Sequence, residues 1–168
     1  RVQLDSKIAV LSHLDGLCHT YIDEDANKEM SLDIVLNAKM RRTGICGATE
    51  TLLCHKKVIN SILPDIIEKL IDQGCEIRGD KSIKSLNKNI NNATEEDWAT
   101  EYLDKIISIK SVNDLSEAIN HIEQYGSNHT DAIITENHKT AEIFLKEVNS
   151  AIVLHNASTQ YADGGEFG

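Results

Sequence analysis

The chain has 168 residues, of which 40% are hydrophobic, 26% are charged and seven are aromatic. This composition is typical of an ordinary globular domain and excludes collagen-like, Pro/Gly-rich disordered and disulfide-scaffold proteins. With 17 Lys and Arg against 27 Asp and Glu, the formal charge is −10. An acidic chain of this kind argues against a nucleic-acid partner and favours a small molecule or a protein.

Apolar runs and helical spacing predict the following elements in chain order: strands at 7–12 and 19–22, a helix over 30–38, a strand at 49–54, a helix over 58–71, a strand at 75–78, a strand at 105–112, a helix over 115–122, a strand at 132–135, a helix over 141–148 and a strand at 151–154. The helix over 58–71 is the clearest, with Pro64 expected in its first turn or at a kink. The segment 80–94 predicts a loop with a helical turn or two. Strands and helices alternate, which predicts an α/β fold with a mostly parallel sheet covered by helices.

No apolar run approaches the roughly 20 residues that cross a bilayer, and the N-terminus lacks the layout of a signal peptide. The four cysteines show no CxxC spacing, so they are interpreted as reduced thiols rather than a disulfide frame or a zinc site. We therefore expect a soluble, cytoplasmic protein with no membrane partner and no metal. The chain begins at Arg1 instead of a Met and stops at Gly168 just after a glycine-rich turn, so we expect a piece of a longer protein.

Cys46 is the first candidate for chemistry, because it lies in a Gly-x-Cys-Gly turn after the basic Arg41 and Arg42. A thiolate nucleophile needs positive charge or backbone N–H groups nearby, together with exposure to a substrate. The competing interpretation is a buried core cysteine, which spacing alone favours. The other three cysteines lie on or beside apolar strand runs and are expected in the core; they are Cys18, Cys54 and Cys75.

Two weaker candidates stay open on spacing alone. Glu101 precedes the strand predicted at 105–112, where a carboxylate could bind a ribose hydroxyl or merely cap a helix. The group of His13, Cys18 and His19 matches no common zinc spacing, so no metal site is expected there.

Six sequence blocks follow one another along the chain: HLDGLCHTYID at 13–23, NAK at 37–39 leading to GIC at 44–46 and ETLL at 50–53, DWATEYLD at 97–104, YGSNH at 125–129, NAST at 156–159 and DGGEFG at 163–168. In this order they resemble the gamma-glutamyl phosphate reductase family of the aldehyde dehydrogenase superfamily. Two positions depart from the family's usual Arg-Pro-Gly-x-Cys-Asn, since Thr43 replaces the Pro and Gly47 replaces the Asn. Loss of that Asn could weaken the anchoring of the loop or of an oxyanion.

The resemblance implies a mechanism. Cys46 aligns with the family's catalytic cysteine, which would attack the carbonyl of glutamyl 5-phosphate, expel phosphate and leave a thioester for NADPH to reduce. His13 stands where hydrolytic aldehyde dehydrogenases carry a general-base Glu, and we place it on the cofactor side with Glu101, which would reach the nicotinamide ribose. Asn156 and Ser158 would lie near the substrate.

The resemblance also implies a division of the chain. Residues 1–41 would be the C-terminal stub of a cofactor-binding domain, 42–156 the catalytic domain and 157–168 a segment returning to the cofactor domain. Most of the NADPH/NADP site would then lie outside this chain, supplied by a longer chain, a homo-oligomer or a separate cofactor-domain chain, and these residues alone would be inactive. Two alternatives stay open, a non-catalytic module used in binding or assembly and a related thiol-dependent dehydrogenase with another substrate.

Overall fold

The computed structural model describes residues 5–9 and 15–162. Its strands are β1 Cys18–Ile22, β2 Thr49–His55, β3 Glu76–Gly79, β4 Asn91–Asn92, β5 Ile106–Val112, β6 Thr130–Ile134 and β7 Ile152–His155. Its helices are α1 Lys28–Met40, α2 Ile59–Asp72, α3 Lys81–Lys84, α4 Leu115–Tyr125 and α5 His138–Glu147, with 3₁₀ turns at Glu96–Ala99 and Thr159–Ala162.

The seven strands form one sheet in the order β4-β3-β5-β2-β1-β6-β7, and every pair is parallel. The predicted α/β class with a parallel sheet is therefore confirmed. The strand expected at 7–12 is not found in residues 7–9, and residues 10–12 lie outside the described part. The segment 80–94 contains α3 and the short edge strand β4.

The core lies on both faces of the sheet, because successive strand residues point to opposite sides. Ile22 and Leu52 face a cluster completed by the apolar stripe of α2. Their neighbours Tyr21 and Leu53 face a second cluster, completed by α4 and α5. The strands β1, β2 and β6 are thus buried along their whole length, as expected for a parallel sheet covered on two sides.

Pro64 was expected in the first turn of its helix or at a kink. It is instead the sixth residue of α2, which begins at Ile59 and continues to Asp72. Proline cannot donate to the carbonyl four residues earlier, which belongs to Asn60. Both residues are exposed, so that carbonyl lies on the solvent side of α2, where water can replace the missing donor.

The boundary expected after residue 41 has no counterpart in the sheet. β1 lies between β2 and β6 and pairs with both. The helix that follows it, α1, packs against α2. Residues 18–40 are therefore continuous in space with the segment 42–156. None of the helices in the described ranges is long and apolar enough to cross a membrane.

Candidate functional site

The turn that carries Cys46 lies between α1 and β2, at the edge where the sheet's strands begin. Cys46 is half-buried, whereas the other three cysteines are buried; these are Cys18, Cys54 and Cys75. Burial raises the pKa of each of those three thiols, that of Cys75 to about 11. The expectation that they belong to the core is confirmed, and Cys46 is the least buried of the four cysteines.

Gly16 packs directly on Cys46. A Cβ atom at Gly16 would lie 2.4 Å from the carbonyl oxygen of Cys46 and 2.5 Å from its Cα and Cβ. Two hydrogen bonds hold this contact in place: the Gly16 N–H donates to Glu101 Oε1 at 2.9 Å, and the Leu17 N–H donates to Ser127 Oγ at 2.9 Å. Glu101 and Ser127 thus fix the segment that enters β1 against the Cys46 turn.

We expect Gly16→Ala to displace this turn, because its methyl group would overlap backbone atoms of Cys46 that cannot rotate away. The predicted loss is about 1–3 kcal/mol in the free energy of unfolding, together with a changed alkylation rate at Cys46. Gly44→Ala is the matched control, since a Cβ there meets only the Leu103 carbonyl oxygen at 3.8 Å. Urea unfolding and thiol labelling of both variants test the contact, and equal behaviour of the two would contradict it.

The 3₁₀ turn at Thr159–Ala162 closes the other side of the Cys46 turn. A Cβ at Gly47 would lie 3.3 Å from the Thr159 carbonyl oxygen. Gln160 Nε2 donates to the carbonyl oxygens of Ala38 at 2.8 Å and Arg42 at 3.0 Å, which ties this segment to the end of α1. Glycine at position 47, where the resembling family has Asn, therefore allows the backbone of Thr159 to approach closely.

A cleft of about 400 Å³ opens beside the Gly16–Glu101 contact. Its lining residues are Asp15, Leu17, Ala99, Thr100, Glu101, Tyr125, Gly126 and Ser127. Asp15 and Leu17 line the cleft, so the segment whose Gly16 packs on Cys46 also borders the cleft. The DWATEYLD and YGSNH blocks, far apart in sequence, meet here.

Asn156 lies away from Cys46. Its side-chain oxygen accepts from the Thr135 N–H and its nitrogen donates to the Thr135 carbonyl, both at 3.0 Å. Thr135 follows the last residue of β6, and the five residues of β6 separate that end of the sheet from the Cys46 end by about 16 Å. The hydrogen bonds of Asn156 hold the backbone as it leaves β7, where Asn156 itself has a φ of 52°.

Ser158 lies nearer the cysteine turn. Its hydroxyl accepts from the Gln160 N–H at 3.2 Å and starts the 3₁₀ turn that contacts Gly47. His13, the other residue predicted on the cofactor side, lies outside the described residues.

A buried ion pair joins the two elements on either side of the Cys46 turn. Lys39 Nζ and Glu50 Oε2 are 2.6 Å apart and both side chains are fully buried. Glu50 Oε1 also accepts from the Leu103 N–H at 3.3 Å. Burial raises the pKa of Glu50 to about 7, although the Lys39 ammonium opposes that rise. The pair joins the end of α1, the start of β2 and the segment that carries Glu101.

Asp97 anchors the same segment from the other side. Its carboxylate lies 2.6 Å from Arg78 Nη1 and accepts from the Tyr102 hydroxyl at 2.8 Å and the Thr94 N–H at 2.7 Å. Partial burial raises the pKa of Asp97, but these hydrogen bonds outweigh it and lower the pKa to about 2. Glu101 is therefore held between two polar networks, neither of which the sequence pattern predicts.

No protein-family model matches the chain. All 168 residues align with gamma-glutamyl phosphate reductase of Parvibaculum lavamentivorans at 53% identity, covering 40% of that protein. The crystal structure of gamma-glutamyl phosphate reductase from Thermotoga maritima superposes with a TM-score of 0.92 at 42% identity, over 99% of this chain and 40% of that one. An acetylating aldehyde dehydrogenase from Geobacillus thermoglucosidasius shares the fold, with a TM-score of 0.67 at 16% identity over 88% of this chain and 41% of that one.

The chain spans about two-fifths of the length of the curated relatives that it matches. The match runs through every sequence block from residue 13 to residue 168, and the fold agrees with it. Over the stretch that it covers, the chain is therefore a relative of the gamma-glutamyl phosphate reductases, and the resemblance inferred from its sequence is confirmed.

Proposed function

We propose that this chain is the nucleophile-bearing part of an NADPH-dependent reductase that converts L-glutamyl 5-phosphate into L-glutamate 5-semialdehyde and phosphate, a step of proline biosynthesis. The observation that carries the proposal is the partial exposure of Cys46, set against the burial of the other three cysteines. The names of the matching relatives supply the substrate.

The chemistry begins at Cys46. Its thiolate sulfur attacks the carbonyl carbon of the acyl phosphate, and the carbonyl electrons move onto oxygen to form a tetrahedral oxyanion. When the oxyanion collapses, the C–O bond to phosphate breaks, phosphate leaves and a thioester remains on Cys46. A thiolate needs no general base at this step, so the histidines of the chain need not deprotonate it in the transition state.

The turn must hold its shape while the carbonyl approaches, because misplacement of a nucleophile by about 1 Å can slow a reaction about 100-fold. Gly16 on one side and Thr159 on the other confine the backbone of Cys46 and Gly47. We propose that these contacts position the sulfur. Ser158 directly precedes Thr159 and is the better candidate for substrate contact. Asn156 instead holds the backbone beyond β7 through its two hydrogen bonds to Thr135.

NADPH would supply the hydride that reduces the thioester. Glu101 lines the cleft, and one of its carboxylate oxygens accepts from the Gly16 N–H. A carboxylate has lone pairs for further donors, so Glu101 fits a ribose hydroxyl while it also steadies Gly16. His13 stays a prediction on the cofactor side. The remainder of the NADPH site would come from a part of the protein beyond this chain or from another subunit.

We propose that the whole sheet of residues 15–162 forms the catalytic domain, larger than the predicted 42–156 because β1 is central to it. A cofactor domain would adjoin it, in the same longer chain, in a homo-oligomer or in a separate chain. The substrate is small and anionic, and we place the reaction in the cytoplasm.

The proposal is tested by labelling the native chain with limiting iodoacetamide and following the four cysteines by peptide mass spectrometry. We expect Cys46 to react at least about 10-fold faster than the other three, because they are buried thiols with raised pKa values. Labelling in urea is the control, since unfolding should make the four rates similar. An unreactive Cys46 beside another fast cysteine would refute the assignment.

A further inference from the structure

We propose that Cys18 is a resolving thiol for Cys46: once a hydroperoxide oxidises Cys46, the two cysteines form a disulfide that blocks the nucleophile reversibly. This inference rests on the proposed function in one respect, because it takes Cys46 to be the reactive thiol. It adds a modification site that the reductase reaction does not require.

The two cysteines are neighbours in space although 28 residues separate them in sequence. Cys18 is the first residue of β1, and its thiol donates to the carbonyl oxygen of Cys46 with an S···O distance of 3.0 Å. A carbonyl oxygen lies about 2.4 Å from its own Cα, so the Cys18 sulfur is at most about 5.4 Å from the Cα of Cys46. Rotation of the two side chains and a small shift of the turn bring the sulfurs to the S–S distance of about 2.05 Å.

The turn can make that shift more easily than the strand can. Cys18 is fixed in the sheet between β2 and β6. Cys46 belongs to no helix or strand. Gly44 lies two residues before it, and Gly47 directly follows it. We therefore expect Cys46, and not Cys18, to make the movement that brings the two sulfurs together.

His129 supplies a proton acceptor for Cys18. Burial, and next the Asp131 carboxylate, raise the pKa of the Cys18 thiol well above its ordinary value, so Cys18 stays protonated and does not react first. His129 Nδ1 lies 3.6 Å from the Cys18 sulfur and 2.9 Å from Thr130 Oγ1. In the tautomer whose Nδ1 carries no hydrogen, this nitrogen can take the thiol proton once the Cys18 thiol turns from the Cys46 carbonyl oxygen to attack.

The steps balance with a hydroperoxide as the only oxidant. The Cys46 thiolate attacks one peroxide oxygen, the O–O bond breaks, and a sulfenic acid and hydroxide form. The Cys18 sulfur then attacks the Cys46 sulfur, the S–S bond forms as the S–O bond breaks, and the departing hydroxide takes the proton that His129 received from Cys18. Two thiols and one hydrogen peroxide become one disulfide and two waters.

The remaining two cysteines lack this geometry. The Cys54 thiol is directed at the carbonyl oxygen of its neighbour His55 at 3.7 Å, near the far end of β2. The Cys75 thiol is directed at the carbonyl oxygen of Glu76 at 3.6 Å, beside β3. The structure therefore assigns one pairing among the six that four cysteines allow.

The test is to treat the native chain with a slight excess of hydrogen peroxide and then block free thiols in denaturant. We expect two blocking groups on the intact chain instead of four, a single cross-linked peptide pair containing Cys18 and Cys46, and full return of both thiols with dithiothreitol. Cys18→Ala should instead accumulate Cys46 with two or three added oxygen atoms, which dithiothreitol does not reverse. Cys75→Ala is the matched control and should behave as the wild type.

Three results overturn the inference: blocking of all four thiols in the wild type, a cross-link through Cys54 or Cys75, or equal protection of Cys46 in Cys18→Ala. The wild-type result does not depend on the folding of any variant. Iodoacetamide labelling of the untreated chain separates the two proposals. A fast-labelling Cys46 that forms no disulfide refutes the resolving role alone, whereas a slow Cys46 refutes the proposed nucleophile.

Discussion

Replacing Cys46 with serine should lower the proposed reductase activity by at least about 1,000-fold. A serine hydroxyl stays protonated near neutral pH and is a poor nucleophile without an adjacent base. The position is half-buried in a turn, so we expect the free energy of unfolding to change by less than about 0.5 kcal/mol. Phosphate release from glutamyl 5-phosphate checks the loss of activity. Urea unfolding checks the change in the free energy of unfolding.

Cys75→Ala provides the control for Cys46→Ser, because it also removes a thiol but one that is buried beside β3 and directed at Glu76. This variant should keep the activity of the folded protein. Its free energy of unfolding should fall, because the missing sulfur leaves a cavity. The opposite pattern, with activity retained in Cys46→Ser and lost in Cys75→Ala at equal folding, would place the nucleophile elsewhere.

The order of the elements could be predicted from the sequence because each strand and helix has its own local pattern. The helix over 58–71 is one example, since its apolar pairs decide both its type and its buried face. The two glycines around Cys46 also predicted a turn, but spacing could not decide between a nucleophile and a core cysteine. The partial exposure of Cys46 favours the nucleophile, and exposure depends on what packs around the turn.

The contacts that shape the site could not be predicted, because they join distant segments. Gly16 has no side chain that would mark a contact in the sequence, yet it forms the surface against which Cys46 packs. Lys39 lies in the last turn of α1, where a lysine is usually exposed, yet it is fully buried against Glu50. Which residue meets which depends on the register of β1 against β2, and that register is set by the whole sheet.

Replacing Lys39 with methionine should lower the free energy of unfolding by about 3–5 kcal/mol, because the Glu50 carboxylate would stay buried without its counter-ion. Lys28→Met is the matched control. Lys28 and Asp65 are also 2.6 Å apart, but their side chains are 52% and 50% exposed, so we expect a loss below about 1 kcal/mol. Adding Glu50→Gln to Lys39→Met should restore most of the loss, because glutamine can still accept from the Leu103 N–H.

The loss in Lys39→Met should also depend on pH, in a direction set by Glu50. Burial raises its pKa to about 7 in the folded chain, above the ordinary value of 4.5, so the native state holds the proton more tightly than the unfolded state. The stabilisation that follows is complete below pH 4.5 and disappears as the pH rises through about 7. Lys39 opposes this shift, so its removal raises the pKa of Glu50 further and makes ionisation more costly.

Urea unfolding of Lys39→Met should therefore show a larger loss at about pH 8 than at about pH 5. The double variant with Glu50→Gln lacks the titrating group, so its loss in the free energy of unfolding should be nearly the same at both pH values. Equal losses in the free energy of unfolding for Lys39→Met and Lys28→Met would mean that water reaches Glu50. The Lys39–Glu50 pair would then behave as a surface ion pair.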